Sequence, residues 1–445
     1  MSFSCSFFFV FYSFKLDNLY KKFILHHFLD LLFWFLAELI LLRFIVALHR
    51  ITMTSPSHSL CMIPGPVEFD QDVLNACATM ATSHVDPAFI GRFSRALKNL
   101  RNIFLAAPDA QPFIIAGSGT LGWDMTAANL VQPNDAVLVV NTGYFGDSFA
   151  DCLTVYGASV THVRAARVGS RPSLHQLRHA LQEAKLNHVV YKLVTITHVD
   201  TSTGVLTDIK HMAAVIREVS PESLIVVDGV CSVAAEELRM QEWDLDVVLT
   251  ASQKAIGVPP GLSILVASSR AMNVFHQRTH PVQSYYASWT KWLPIMQNYE
   301  HQKGSYFATP PVQLVMALDV ALEQVLAYGM DKVFEQHRTV NAHVKATLKS
   351  WGLKLVATED EFAANTLSAV YLPENVTAMD LLPKLKALGV VAAGGLHRDI
   401  ASKYFRLGHM GVMTVMKEDQ LHYVEKTLQA LAKAFNQCGY VAAKL

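Results

Sequence analysis

The sequence has no excess charge of either sign. Its 37 lysines and arginines balance 37 aspartates and glutamates over 445 residues, so no nucleic-acid surface is expected. Cysteine is sparse: Cys5, Cys61, Cys77, Cys152, Cys231 and Cys438 stand far apart with no metal-type spacing. They read as reduced thiols of an intracellular protein. The 19 histidines contain no HExxH or comparable cluster, and no metal site is expected. There is no GxxxxGK[ST] pattern, which disfavours a nucleoside-triphosphate site. Internal repeats and low-complexity tracts are missing too. What is present is enough chain for two domains with ample cores.

Residues 1–52 differ from the rest. Phe23 to Leu48 is dominated by Leu, Phe and Ile but interrupted by Asp30, Glu38 and Arg43. Its length suffices for a membrane helix, while Glu38 and Arg43 would each cost roughly 2.5–3.5 kcal/mol on insertion. Neither a signal-peptide core with a small-residue cleavage site nor an acid-free mitochondrial presequence is evident. Three readings stay open: an upstream extension absent from the working protein, with Met53 as the start; a membrane anchor at 23–48; or a targeting segment.

Two strands carry the chemistry. Leu224 to Val230 is a buried apolar run with Asp228 near its end. A bare carboxylate is too costly to bury without a cationic partner, and a protonated pyridine nitrogen is one such partner. Val247 to Ala251 ends in Ser252-Gln253-Lys254, followed by the turn material of 257–261. A lysine at the mouth of a buried sheet has a use, because its amine can form a Schiff base. Taken alone it reads as a solvated loop lysine, but the pair is a constellation.

Other segments fit around these two. The strand Phe113–Ala116 leads into Gly117-Ser118-Gly119-Thr120 and a helix running to about Leu130, which is either a plain N-cap or an anion-holding helix start. Strands at Ala136–Val140, Ala158–Val163, Leu193–Thr197 and Leu262–Ala267 alternate with helical stretches, predicting a largely parallel sheet. Residues 280–311 read as aromatic and irregular. Helices are expected at Ser94–Phe104, Ile209–Val219, Val312–Ala327 and Glu418–Asn436. Short strands are expected at Leu367–Tyr371 and Gly389–Ala392. Arg406 offers a fork for a carboxylate or a structural ion pair.

The segments IPGP (63–66), GSGTLGWD (117–124), THVDTSTGV (197–205), VVDGVCS (226–232), LTASQKAIG (249–257), KGSYFATPPVQL (303–314), AAGGLH (392–397) and FRLGHMGV (405–412) together resemble the class V aminotransferases of pyridoxal-phosphate fold type I. Within that family they are most similar to the fungal alanine–glyoxylate branch. The resemblance implies an α/β fold with a mostly parallel seven-stranded sheet in a large domain and a smaller α+β C-terminal domain. The divisions are a hydrophobic extension at 1–52, an N-terminal arm at 53–85, a large domain at 86–328 and a small domain at 329–445.

By the same resemblance Lys254 would hold pyridoxal 5'-phosphate and shuttle the proton, and Asp228 would keep the ring nitrogen protonated. Phe145 would stack on the ring where the family often has Trp, and Ser202 would lie beside Asp228. Ser118, Gly119, Thr120 and Gln253 would hold the phosphate. Tyr306 and Thr309 would reach it from the other subunit of a homodimer. Arg406 would bind the substrate carboxylate, with Gly65 in the arm passing the site. The implied reaction is ping-pong transfer of an amine from L-alanine to glyoxylate, giving pyruvate and glycine. The alternatives are serine–pyruvate or serine–glyoxylate transamination and, outside enzymes, a membrane-tethered silent relative.

Ala443-Lys444-Leu445 resembles the Ser-Lys-Leu address read by the peroxisomal import receptor, so peroxisomal residence is expected, with cytoplasm or mitochondrion as alternatives. Membrane contact is expected only if residues 23–48 are retained. Starts at Met1 and Met53 would reconcile the two signals.

Overall fold

The computed structural model describes residues 58–411 and 421–440, with isolated positions 26, 34 and 38 before them. Apart from those three positions, the apolar stretch 23–48 lies outside the described residues, as do the start at Met53 and the Ala443-Lys444-Leu445 ending. The chain divides by contact into residues 1–58 and 59–445, and the second unit holds the fold described below.

Seven strands form the central sheet: β1 (Gln111–Ala116), β2 (Ala136–Asn141), β3 (Ser159–Arg164), β4 (Tyr191–Thr197), β5 (Leu224–Asp228), β6 (Val247–Ala251) and β7 (Leu262–Ala267), in the order β1-β7-β6-β5-β4-β2-β3. Only β7 runs antiparallel to its neighbours. The others share one direction, so the C-terminal ends of β1, β6, β5, β4 and β2 meet at one edge. The Val- and Ile-rich runs of β5, β6 and β7 are buried at every position, as a sheet covered on both faces requires. This is the mostly parallel seven-stranded α/β sheet expected.

Two segments differ from expectation. The helix placed at Ser94–Phe104 begins earlier, at Pro87, because Asp86 accepts hydrogen bonds from the Ala88 and Phe89 amides and proline occupies the first turn. The segment 280–311 is not irregular throughout: Trp289–Glu300 is helical despite Pro294. Trp289, Trp292, Ile295, Met296 and Tyr299 are buried at helical spacing, and that apolar stripe outweighs the proline's lost hydrogen bond.

Two hydrophobic cores form. The larger surrounds the sheet and takes in Phe334, Ala364, Leu367 and Met410. The smaller gathers Val340, Val344 and Leu348 with Phe405, Leu431 and Phe435, around a three-stranded antiparallel sheet in which β10 (Tyr404–Gly408) lies between β8 (Leu367–Tyr371) and β9 (Ala393–Gly394). The helix Met330–Ser350 runs from one core into the other.

The N-terminal arm belongs partly to the smaller core. Leu60–Cys61 pairs in parallel with Val390–Val391, and Leu60 and Met62 are buried there. Five residues later Val67 is buried in the larger core. The Gly408 amide donates to the Met62 carbonyl at 2.7 Å, and a Cβ on Gly408 would run into the Ile63 carbonyl and the Pro64 nitrogen. Both obstacles are backbone and cannot swing aside. Gly408→Ala is therefore expected to lower unfolding free energy by about 2–3 kcal/mol in urea titration; a change within ~0.5 kcal/mol would show that the arm yields freely.

Candidate active site

The site is built at the shared C-terminal edge of the sheet. Lys254 sits three residues past the end of β6. The turn is set by Ser252, whose hydroxyl donates to the Pro259 carbonyl at 2.9 Å and accepts from the Leu262 amide at 3.2 Å. Gly257 closes it at φ +76°, a conformation other residues adopt only with strain. The Lys254 amine donates to the Pro64 carbonyl, and no carboxylate lies within ion-pair distance among the described residues. Gly65 has φ +100°, and a Cβ there would stand 2.6 Å from the lysine Nζ. Only glycine lets the arm cross the lysine so closely.

Asp228, the last residue of β5, is 4% exposed. The Val230 amide donates to its Oδ1 at 2.9 Å, and the Trp123 indole N–H donates to its Oδ2 at 2.8 Å. Burial nevertheless pushes its pKa up to about 6, against the pull of those two donors and of Lys254, and with a small push from Asp200.

Between these residues lies a cavity of about 160 Å³. At one end is the start of the helix Gly119–Leu130. Ser118 is its N-cap by position, but its side chain makes no capping bond, so the Gly119 and Thr120 amides and the Ser118 hydroxyl are available to an outside acceptor, while the Leu121 amide donates to the Ser118 carbonyl at 3.0 Å. Gln253 lines the same cavity, and its buried Oε1 has no partner. Phe145 and Val230 supply apolar walls. Gly119 is needed beneath them, since a Cβ there would meet Val230 Cγ2 at 2.9 Å.

Asp200 holds the turn that carries Phe145. Its buried carboxylate accepts from the Phe145 amide at 3.1 Å and from the Ser202 amide and hydroxyl at 2.9 and 2.6 Å. Ser202 also accepts from the Tyr144 amide at 3.0 Å. Ser202 is thus occupied in bracing the turn, and Thr201 rather than Ser202 lines the cavity.

Arg406 stands in the middle of β10, half-buried. Its Nε donates to the Gly394 carbonyl at 2.8 Å and its Nη1 to the Thr201 carbonyl at 3.2 Å. No acidic side chain pairs with it among the described residues, and burial lowers its pKa. The structural ion pair that the sequence left open is not formed. Tyr306 and Thr309 do not line the cavity: Tyr306 is 62% exposed, with its hydroxyl 3.5 Å from that of Thr309.

The cavity therefore gathers Ser118, Gly119, Thr120, Phe145, Asp228, Gln253 and Lys254, with Gly65 over the lysine. Sequence reasoning missed Trp123 and the bracing role of Asp200. Trp123 carried no signal in sequence for this role, which only its bond to Asp228 reveals. The signal for Asp200 was a strand-end carboxylate followed by hydroxyl residues.

A helix start free of side-chain capping, an amine and a buried carboxylate at the C-terminal edge of this sheet fit the pyridoxal-phosphate fold-type-I class. The class-V aminotransferase family model matches residues 72–414, and the chain belongs to that family. Alanine–glyoxylate aminotransferase 1 of Saccharomyces cerevisiae is 46% identical over 366 residues, covering 80% of this chain and 93% of that protein. The serine–glyoxylate aminotransferase of Arabidopsis thaliana is 28% identical over 361 residues, covering 81% and 87%. Among solved structures, alanine–glyoxylate aminotransferase from Nostoc sp. superposes with a TM-score of 0.76 at 28% identity, covering 85% of this chain and 95% of that one.

Because the folded pKa of Asp228 is above that of an unfolded carboxylate, its contribution to stability is complete below about pH 4. It has been lost once pH passes about 6. In the cofactor-free protein, the unfolding free energy of wild type relative to Asp228→Asn is expected to fall by about 3 kcal/mol between pH 4 and pH 7. A flat difference in parallel urea titrations would mean that the carboxylate is already solvated.

Proposed function

We propose that the chain is a pyridoxal-phosphate-dependent aminotransferase that moves the amine of L-alanine to glyoxylate, releasing pyruvate and glycine in two half-reactions. The observation that carries this reading is the facing pair of Lys254 and Asp228 across one small cavity. The 46% identity to a protein named alanine–glyoxylate aminotransferase supports the choice of substrates.

The residues present fit the cofactor. Asp228 is a buried carboxylate without a cation at bonding distance, and a protonated pyridine nitrogen would supply that partner. Ser118 is an uncapped helix start and Gln253 has an orphaned buried oxygen, so together with Gly119 and Thr120 they suit a phosphate. Phe145 and Val230 suit the two faces of a flat ring. When bound, the cofactor supplies a carbonyl carbon that takes the substrate amine and a conjugated ring that accepts the electron pair released at the α-carbon.

The rest is done by the chain. Lys254 would hold the cofactor through its amine and, when that amine is free, would accept the proton from the substrate α-carbon at its Nζ. Asp228 would keep the ring nitrogen protonated. Trp123 and the Val230 amide hold that carboxylate in place. Arg406, already fixed by two backbone carbonyls, presents a charged fork to the carboxylate shared by amino acid and 2-oxo acid. One site then serves both halves of a ping-pong cycle. Tyr306 and Thr309, outside their own cavity, are read as reaching the phosphate of a second copy in a homodimer. Ala443-Lys444-Leu445 supports residence in the peroxisome.

On residues 53–445, L-alanine alone is expected to abolish the visible band of the bound cofactor, and glyoxylate to restore it. A band that answers L-serine and ignores L-alanine would move the assignment to the serine enzymes. Lys254→Ala should show no turnover. Arg406→Gln should lower kcat/KM for L-alanine about 100-fold, and an unchanged value would remove Arg406 from substrate binding.

A further inference from the structure

A second concavity, of about 300 Å³, lies on the far side of the Thr142–Phe145 turn. One wall comes from the ends of β2 and β3 and the segment after them, and the other from the turn His397–Asp399. Three guanidinium groups, on Arg164, Arg167 and Arg398, here face two carboxylates, on Asp147 and Asp399. Asp147 is already committed: it lies 2.7 Å from Arg164 and 3.6 Å from Arg398, and their charge holds its pKa below the usual carboxylate range against the opposing effect of burial. Asp399 lies 3.9 Å from His397 Nδ1. Arg167 has no acidic partner among the described residues.

A buried donor adds an independent observation. Thr142 is 5% exposed, lines this concavity, and its hydroxyl has no hydrogen-bond partner. An unpaired buried hydroxyl costs free energy that a ligand acceptor would recover. Surplus positive charge beside an unsatisfied hydroxyl suits an oxygen anion.

We propose that this crevice binds a small oxyanion, a carboxylate or a phosphate group, between Arg167, Arg398 and the Thr142 hydroxyl. The occupant ties the sheet edge to the turn that precedes β10. The Leu396 and His397 amides donate to the Tyr404 hydroxyl at 2.8 and 2.9 Å, and that hydroxyl donates to the Ser202 carbonyl. Two residues on is Arg406, bonded to the carbonyl of Thr201. An anion in the crevice thus clamps the segment that leads into the strand carrying Arg406. This inference does not depend on the reaction assigned above.

The test uses the full chain saturated with pyridoxal phosphate, in an Arg406→Gln background that removes the other carboxylate fork. Thermal unfolding is followed with sodium acetate or sodium phosphate at constant ionic strength. At ten times its Kd the bound probe is expected to raise Tm by about 2 °C. Shifts with both probes support a general oxyanion site, and a shift with phosphate alone commits it to phosphate groups. Adding Arg167→Gln and Arg398→Gln should remove most of the shift. Thr142→Val, which keeps shape and disturbs no existing bond, should weaken the probe about fivefold. No shift with either probe, or a full shift in the double arginine variant, overturns the proposal.

Discussion

The structure depends on a carboxylate kept out of water. Removing an ionised group from solvent costs several kcal/mol even after relaxation. Hydrogen bonds to a charged group return about 1.5–3 kcal/mol each. Asp228 has two, from Val230 and Trp123, and the shortfall is visible in its raised pKa. Much of the neighbourhood follows from this one residue. Trp123 must be delivered to it, so the helix Gly119–Leu130 has to pack tightly on the sheet, and that approach explains Gly119 and Gly122, whose missing Cβ atoms make room for Val230 and Leu249. The same helix then presents its amino end to the cavity.

Lys254 obeys a different constraint. It is fixed from above, by an arm that begins as a strand paired with Val390–Val391 against the smaller core and ends in the larger core. Gly65 and Gly408 are both forced by close backbone approach along this arm. The amine, the arm and the strand bearing Arg406 are therefore mechanically continuous, through Pro64, Met62 and Gly408.

The central architecture was legible because its signals are local. Seven apolar runs, each bounded by turn residues, mark the strands, and Asp228 and Lys254 stand out as polar residues at the ends of two of them. Ser118, Gly119 and Thr120 were legible for the same reason. What escaped was set by tertiary contact. The helix Trp289–Glu300 hides behind Pro294 because its stability comes from packing against Phe93 and Phe113. Ser202 was placed beside Asp228 by the family resemblance, whereas its hydroxyl donates to Asp200, whose carboxylate also holds a turn some fifty residues earlier. Trp123 carries no mark in sequence that distinguishes a core indole from one that serves a carboxylate.

The pairing of Leu60–Cys61 with Val390–Val391 joins two ends of the chain. A ribosome releases the first of these strands long before it makes the second. Until then the central sheet can fold, since β1 to β7 are complete by residue 267, and the arm is held only on one side of Lys254, where Val67 is buried in the larger core and its amide donates to the Gln253 carbonyl at 3.2 Å. The nascent protein is thus expected to pass through a stage with a formed sheet and an arm tethered at one end only. Such long-range closure is slow relative to local pairing, and it makes synthesis of the last third of the chain the event that completes the site.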